Sequence, residues 1–295
     1  MSLKPIEFIK DTHHGELFSS ENSNIAMIVV TGSDGGIKWA REISKVFCNN
    51  GLSCLALAYW KKRGLPKTLS LIPIEIISDA ITYLKNKGYS KVGIYGFSKG
   101  AELALIATSY FPQVDFVIAV SPSCCVFAGI EKNTYSKNSS WSHNGQSIPH
   151  ISFDGIKTNY IKNFIKNREW GFAEHYSEVI SKQKNEENTI KVENINTPIL
   201  LLSAENDALW CSKQMGEHII KRLQEKEFKY TYRHIVFPYA SHILCPIKTK
   251  TTARIQNKAQ IYERMQRFKR KRPEDYLELA VRIANFIKLT RFFSI

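Results

Sequence analysis

The sequence predicts an α/β protein, with a mostly parallel central sheet and helices on both faces. Three observations carry that prediction. Short apolar runs alternate with stretches of helical period, the apolar runs are continuous in the way of strands buried on both faces, and one run turns into a helix at a glycine-flanked serine.

The first sure strand covers residues 26–31 (AMIVVT) and ends in the glycine-rich turn TGSDGG. Trp39, Ile43, Val46 and Phe47 then recur at helical spacing, Gly51 punctuates, and a second strand at 54–58 completes a βαβ unit. The rhythm continues with a helix over 75–87, a strand at 92–95, a helix over 99–110 and a strand at 116–120. Further on come a strand at 199–203, a helix that gathers Met215, Ile219 and Leu223 on one face, and a strand at 232–237. A final helix from Pro273 is expected to bury Leu279, Ile283 and Phe286 or Ile287. The first 25 residues are expected to add one or two edge strands. Residues 121–196 break the rhythm with a polar stretch rich in Ser, Asn and Lys that also carries Trp141 and Trp170. Structureless loops of that length are rare inside compact domains. The segment is therefore expected to be an inserted cap or lid with its own short helices, within a single domain spanning 1–295.

Composition narrows the class further. Hydrophobic residues at 43% and charged residues at 23% are ordinary for a globular chain. Cys48, Cys54, Cys124, Cys125, Cys211 and Cys245 follow neither a metal-ligand spacing nor a disulfide framework, so reduced thiols, a cytoplasmic location and no metal or cofactor are expected. No apolar run has the length of a signal peptide or a membrane span, so no membrane partner is expected. A net charge of +14 favours anionic partners. The strongest charge feature, residues 267–272 with Lys248, Lys250, Arg254 and Lys258, reads first as a solvated face and second as counter-charge for phosphates. No helix-turn-helix, zinc or RNA-binding signature accompanies it, so nucleic acid is not an expected partner.

The chemistry is concentrated in Gly96-Phe97-Ser98-Lys99-Gly100, which fits G-x-S-x-G between an apolar strand and a helix. Such an elbow lifts the serine oxygen above the sheet at a helix amino end, where the dipole favours negative charge. A hydroxyl needs a base, and the base needs a carboxylate to orient it, in the chain order serine, acid, histidine. Asp207 lies just past the strand ILLLS, with Glu205 as nearest rival, and His242 lies five residues beyond the strand at 232–237. Both positions fall at the carboxyl edge of a parallel sheet, where ligand sites form. Lys99 N–H, together with a donor from Ser33 or Asp34, is expected to make the oxyanion hole. Gly32, Gly35, Trp60 and Trp141 are expected on the substrate side. The predicted fold is then an α/β-hydrolase fold, with Ser98 as nucleophile, His242 as base and Asp207 as orienting acid.

The stretches LALAYW, GLPKT with its following helix, KVGIYGFSKGAELAL, WSHNGQSIP, TPILLLSAENDALW and FPYASHILCP together resemble the acyl-CoA thioesterases related to bile acid-CoA:amino acid N-acyltransferase, in their C-terminal hydrolase domain. Dienelactone hydrolases are more distantly similar. The resemblance runs from about Ile25 to Pro246. It implies attack on an acyl thioester, an acyl-enzyme, and release of the acyl group to water or to an amine. It also implies that Ser98, Asp207 and His242 take the family's nucleophile, acid and base positions. In that family the amino acid-conjugating members carry cysteine at the elbow and the hydrolytic members serine, so the resemblance with Ser98 implies hydrolysis, of a small-molecule acyl ester or acyl-CoA substrate. Transfer to an amine, a general carboxylesterase or peptidase, and an inactive hydrolase-fold binding module are the alternatives.

Overall fold

The computed structural model describes residues 4–21, 23–131, 134–153, 172–205, 207, 209–238, 240, 242–244 and 246. The helix expected from Pro273, the basic segment 248–272, Trp170 and Cys245 lie outside them.

The chain opens with the antiparallel pair β1 (Ile6–Lys10) and β2 (His13–Phe18), the edge strands anticipated near the amino end. A βαβ unit follows, built from β3 (Ile25–Val30), α1 (Lys38–Asn49) and β4 (Ser53–Ala58). After the two-residue β5 (Ile72–Pro73) come α2 (Glu75–Asn86), β6 (Lys91–Phe97), α3 (Lys99–Tyr110) and β7 (Phe116–Val120). The last elements among the described residues are β12 (Ile199–Ala204), α5 (Ser212–Glu225) and β13 (Tyr232–Phe237). Among the described residues these strands form one eight-stranded sheet in the order β1-β2-β4-β3-β6-β7-β12-β13. It is antiparallel across β1, β2 and β4 and parallel from β4 to β13.

Why the strands read as unbroken apolar runs is visible in β3. Ala26, Ile28 and Val30 point to a core shared with α2, α3 and α5, whereas Met27 and Val29 point to a second core against Ile43 and Phe47 of α1. Side chains alternate across a strand, so a strand covered on both faces needs apolar residues at every position.

Within 121–196, the described residues form the short strands β8 (Ala128–Glu131), β9 (Thr134–Ser139), β10 (Trp141–His143) and β11 (Gln146–Ser147), then α4 (Ala173–Gln183) and a 3₁₀ turn at Val192–Asn194. β10 pairs in parallel with β5, and Leu69 bridges Ile130. Phe127, Trp141 and Ile151 are fully buried in the larger core. The first part of the segment is thus packed into the body beside α3, mostly as strands where short helices were expected.

Candidate active site

β6 delivers the chain to Ser98 and α3 carries it away, and the turn between them tolerates little substitution. A Cβ at Gly96 would lie 2.2 Å from the Gly100 carbonyl oxygen, and one at Gly100 would lie 2.6 Å from the Val30 oxygen. Ser98 itself sits at φ 58°, ψ −122°, a left-handed conformation that L-residues avoid at a cost of about 1–3 kcal/mol. Its N–H is fixed to the Val120 carbonyl at 2.9 Å. The backbone is therefore committed to presenting Oγ at the carboxyl edge of the sheet.

There the loops after β12 and β13 bring in two partners. His242 Nε2 lies 2.9 Å from Ser98 Oγ, and His242 Nδ1 lies 2.9 Å from Asp207 Oδ2 and 3.1 Å from Oδ1. An ionised carboxylate only accepts, so the imidazole proton belongs on Nδ1 and Nε2 is left to accept from the hydroxyl. Asp207 is held by the N–H groups of Leu209 and Trp210 on Oδ1 and by Ser212 Oγ at 2.6 Å on Oδ2. Its rival Glu205 is turned outward in an ion pair with Lys213 at 2.6 Å. The His242 ring lies against Phe97 and edge-on to Trp210, at 5.5 and 5.7 Å between centroids. Ser98, Asp207 and His242 are only 7–8% exposed, so their mutual polar contacts form with little competition from solvent.

The glycine-rich turn meets the serine where the oxyanion hole was expected. A Cβ on Gly32 would stand 2.8 Å from Lys99 N and 3.0 Å from Ser98 Cβ, so this turn presses directly on the elbow. Lys99 is the first residue of α3, and its N–H has no acceptor within the helix. Within the turn, the N–H groups of Gly32 and Asp34 face the Asp34 carboxyl, which also accepts from Thr31 Oγ1 at 3.0 Å. Burial nonetheless holds that carboxyl above its usual range. Ser33 N–H has no acceptor among the described residues. Trp60 braces the turn, its indole N–H donating to the Gly32 carbonyl at 3.1 Å, and Tyr59 O–H donates to the Thr31 carbonyl. Gly35, at φ 65°, packs where a Cβ would come within 2.7 Å of Lys61 Cβ.

Trp141 lies elsewhere than the sequence reading puts it. It is 0% exposed, with no face open to a ligand, and its indole N–H donates to Glu102 Oε1 at 2.9 Å. Glu102 also accepts from Lys99 Nζ at 2.9 and 3.0 Å and from Phe127 N–H at 3.0 Å. Burial pushes the Lys99 ammonium down and the Glu102 carboxyl up, and the pair persists because the carboxylate is ringed by donors.

Sequence reasoning passed over three supports. Ser121 Oγ donates to the His242 carbonyl at 2.8 Å, Ser212 braces Asp207, and the Lys99–Glu102 pair anchors the first turn of α3. The i, i+3 spacing of Lys99 and Glu102 on a predicted helix was the available signal for the last. Ser121 carries none, since its partner is 121 residues away. Among the described residues, no group of three or more His, Cys, Asp or Glu is placed to hold a metal, and no helix is long and apolar enough to cross a membrane.

A largely parallel sheet with a serine elbow after a central strand defines the class, the α/β-hydrolase fold. Residues 72–263 match the family described as BAAT / Acyl-CoA thioester hydrolase C terminal, and this chain belongs to that family. It is similar to acyl-coenzyme A thioesterase 2, mitochondrial, of Mus musculus, at 26% identity over 223 residues, covering 75% of this chain and 45% of that protein. Acyl-coenzyme A thioesterase 1 of Homo sapiens is 24% identical over 220 residues, covering 73% and 48%. The chain thus spans about half the length of these relatives. Among solved structures, the Pyrococcus furiosus esterase Pf2001 shares the fold with a TM-score of 0.53 at 18% identity, covering 90% of this chain and 92% of that one.

Proposed function

We propose that this protein is a serine hydrolase that cleaves an acyl thioester of the acyl-CoA type through an acyl-enzyme on Ser98. The observation that carries the reading is the hydrogen-bonded line from Ser98 Oγ through His242 to Asp207, with contacts of 2.9 Å at each step. As Oγ attacks the thioester carbonyl carbon, its proton passes to Nε2, and the imidazolium so formed is stabilised by Asp207 across Nδ1. Lys99 N–H receives the charge that develops on the carbonyl oxygen. Ser33 N–H is the better second donor, because that of Asp34 is engaged by its own carboxyl. Collapse breaks the carbon–sulfur bond, and His242 returns the proton to the departing sulfur. Water then repeats the attack on the acyl-serine and releases a carboxylic acid. The aromatic chain Trp210, Tyr176 and Phe127 links His242 to segment 121–196 through ring contacts of 5.0–5.7 Å, which supports a place for that segment over the acyl group.

The test compares wild type with Ser98→Ala. Wild type should release free thiol from acyl-CoA, label with a fluorophosphonate and gain the acyl mass in a rapid quench. Ser98→Ala should lose turnover by about 10³-fold or more and lose both labels. Labelling that survives the substitution would remove Ser98 from the reaction. Aryl esters, peptides and amine acceptors run in parallel separate esterase, peptidase and transferase activity.

A further inference from the structure

The mechanism leaves one cluster of charge beside the site unused. Past β4 and Tyr59 the chain reads Trp60-Lys61-Lys62-Arg63, and α1 begins with Lys38. Lys38, Lys61 and Arg63 are exposed and Lys62 is half-buried. Among the described residues none of the four forms an ion pair, whereas Lys10, Lys45, Lys85, Lys99, Lys182 and Lys213 each hold a carboxylate. The acidic groups nearby are already engaged. Glu16 is gripped by Arg41 through two contacts of 2.6 Å, and Asp34 is turned onto Thr31 and the backbone of its own turn.

This basic loop is built against the oxyanion turn. Gly36 N–H donates to the Trp60 carbonyl at 2.9 Å, Trp60 donates back to Gly32, and the closest approach at Gly35 is to the Lys61 side chain. Gly32 at the other end of the same turn touches Ser98 and Lys99. Three peptide units, at most about 10 Å of chain, therefore separate the contact with the nucleophile from the contact with Lys61. Lys61 is held at φ 54°, a left-handed backbone for a residue with a side chain, and its N–H is tied to the Pro66 carbonyl at 2.7 Å. Strain retained next to a reactive serine marks a loop whose shape is used.

We infer that Lys61, Lys62 and Arg63, with Lys38, form the subsite that holds the phosphate groups of a phosphorylated thiol leaving group while its thioester lies at Ser98. The inference rests on the thioesterase reading above and adds to it where the charged end of the substrate is held. The reacting carbonyl meets the largely buried Ser98, and the phosphates remain outside it, where guanidinium and ammonium groups that hold no carboxylate meet them with charge-assisted hydrogen bonds.

The experiment uses the whole chain and two substrates with one acyl group: a medium-chain acyl-CoA and the corresponding acyl-N-acetylcysteamine thioester, which has the same reacting bond and no phosphate. The variant is Lys62→Glu with Arg63→Glu, which spares Lys61 and its packing against Gly35, and a thermal melt verifies that it folds. For acyl-CoA, KM should rise about tenfold at low salt with kcat held, and the wild-type dependence on ionic strength should flatten. For the truncated thioester the change should stay within about twofold. Equal losses on both substrates, or none on either, would overturn the subsite while leaving hydrolysis at Ser98 intact. A wild type that cleaves neither thioester would instead bring down the thioesterase reading, and the subsite with it. Binding of free coenzyme A to Ser98→Ala gives a readout without turnover. It should weaken with the two charge reversals and with added salt, and an unchanged affinity counts against the subsite.

Discussion

Asp207 is buried and accepts hydrogen bonds from Leu209 N–H, Trp210 N–H, Ser212 Oγ and His242 Nδ1. Its place past β12 and ahead of His242 in the chain is legible as an orienting acid, and the structure puts both carboxylate oxygens on His242 Nδ1. What the sequence cannot reveal is the cradle, because Leu209 N–H, Trp210 N–H and Ser212 Oγ converge on the carboxylate only once the chain turns into α5. That cradle makes Asp207→Asn informative. The amide can occupy the same space, yet its NH₂ group faces donors or forces the imidazole into the other tautomer, so Nε2 loses its capacity to accept. The expected outcome is a fall in kcat of about 10³- to 10⁴-fold with KM little changed, read in steady-state thioester hydrolysis. The pairing of Ser121 with the His242 carbonyl belongs to the same scale, and no local pattern announces it.

Among the strands, those buried on both faces were legible as apolar runs, and the half-buried β13 was legible too, at its observed bounds. β3, β4, β7 and β12 are buried at every position, so their apolar runs stand out. β1 and β2 were only loosely anticipated because β1 is largely exposed and His13, His14 and Glu16 interrupt the pattern of β2. β8 to β11 are short and mostly polar; β8 pairs with β9 and β10 with β11 locally, but their seat on the body comes from β10 with β5 and Leu69 with Ile130, neighbours distant in sequence. The tie between α3 and this region is Glu102, which is completely buried and joins Lys99, Phe127 N–H and Trp141. Glu102→Gln would leave the Lys99 ammonium buried without a counter-charge, at a cost of about 3–5 kcal/mol in urea unfolding. Replacing both partners, Lys99→Met with Glu102→Leu, should recover only part of that loss, since it removes the buried ammonium but leaves Phe127 N–H and the Trp141 indole N–H without their acceptor. A double variant as unstable as the single one would mean that the carboxylate's hold on the 127–141 segment matters more than the ion pair.

For the molecule as a whole, the parallel topology and the helices on both faces follow from the periodicity of the sequence, whereas the way the described part of 121–196 seats on the body does not, because the contacts that fix it, β10 with β5, Leu69 with Ile130 and Glu102 with Phe127 and Trp141, join residues far apart in the chain. Stability should also respond to pH through groups that no motif marks. Burial lowers His13 and His234 from 6.5 to about 4, so both are neutral in the folded chain at pH values where the unfolded chain would protonate them. The unfolded state then binds more protons between pH 6.5 and 4, and stability is complete above that window and declines as pH falls through it. Thermal melts from pH 7.5 to 4.5 should show a falling midpoint, and His234→Gln should make the fall shallower; an unchanged slope would assign the acid sensitivity to other groups. The left-handed backbone at Ser98 has a consequence of a different kind. The conformation that lifts the hydroxyl out of the sheet is one that glycine adopts freely and serine does not, so the fold is better suited to glycine at that position than to the serine it carries. Laboratory selection for heat endurance alone would therefore drift toward glycine at position 98, and under the mechanism proposed above that drift would yield mute proteins.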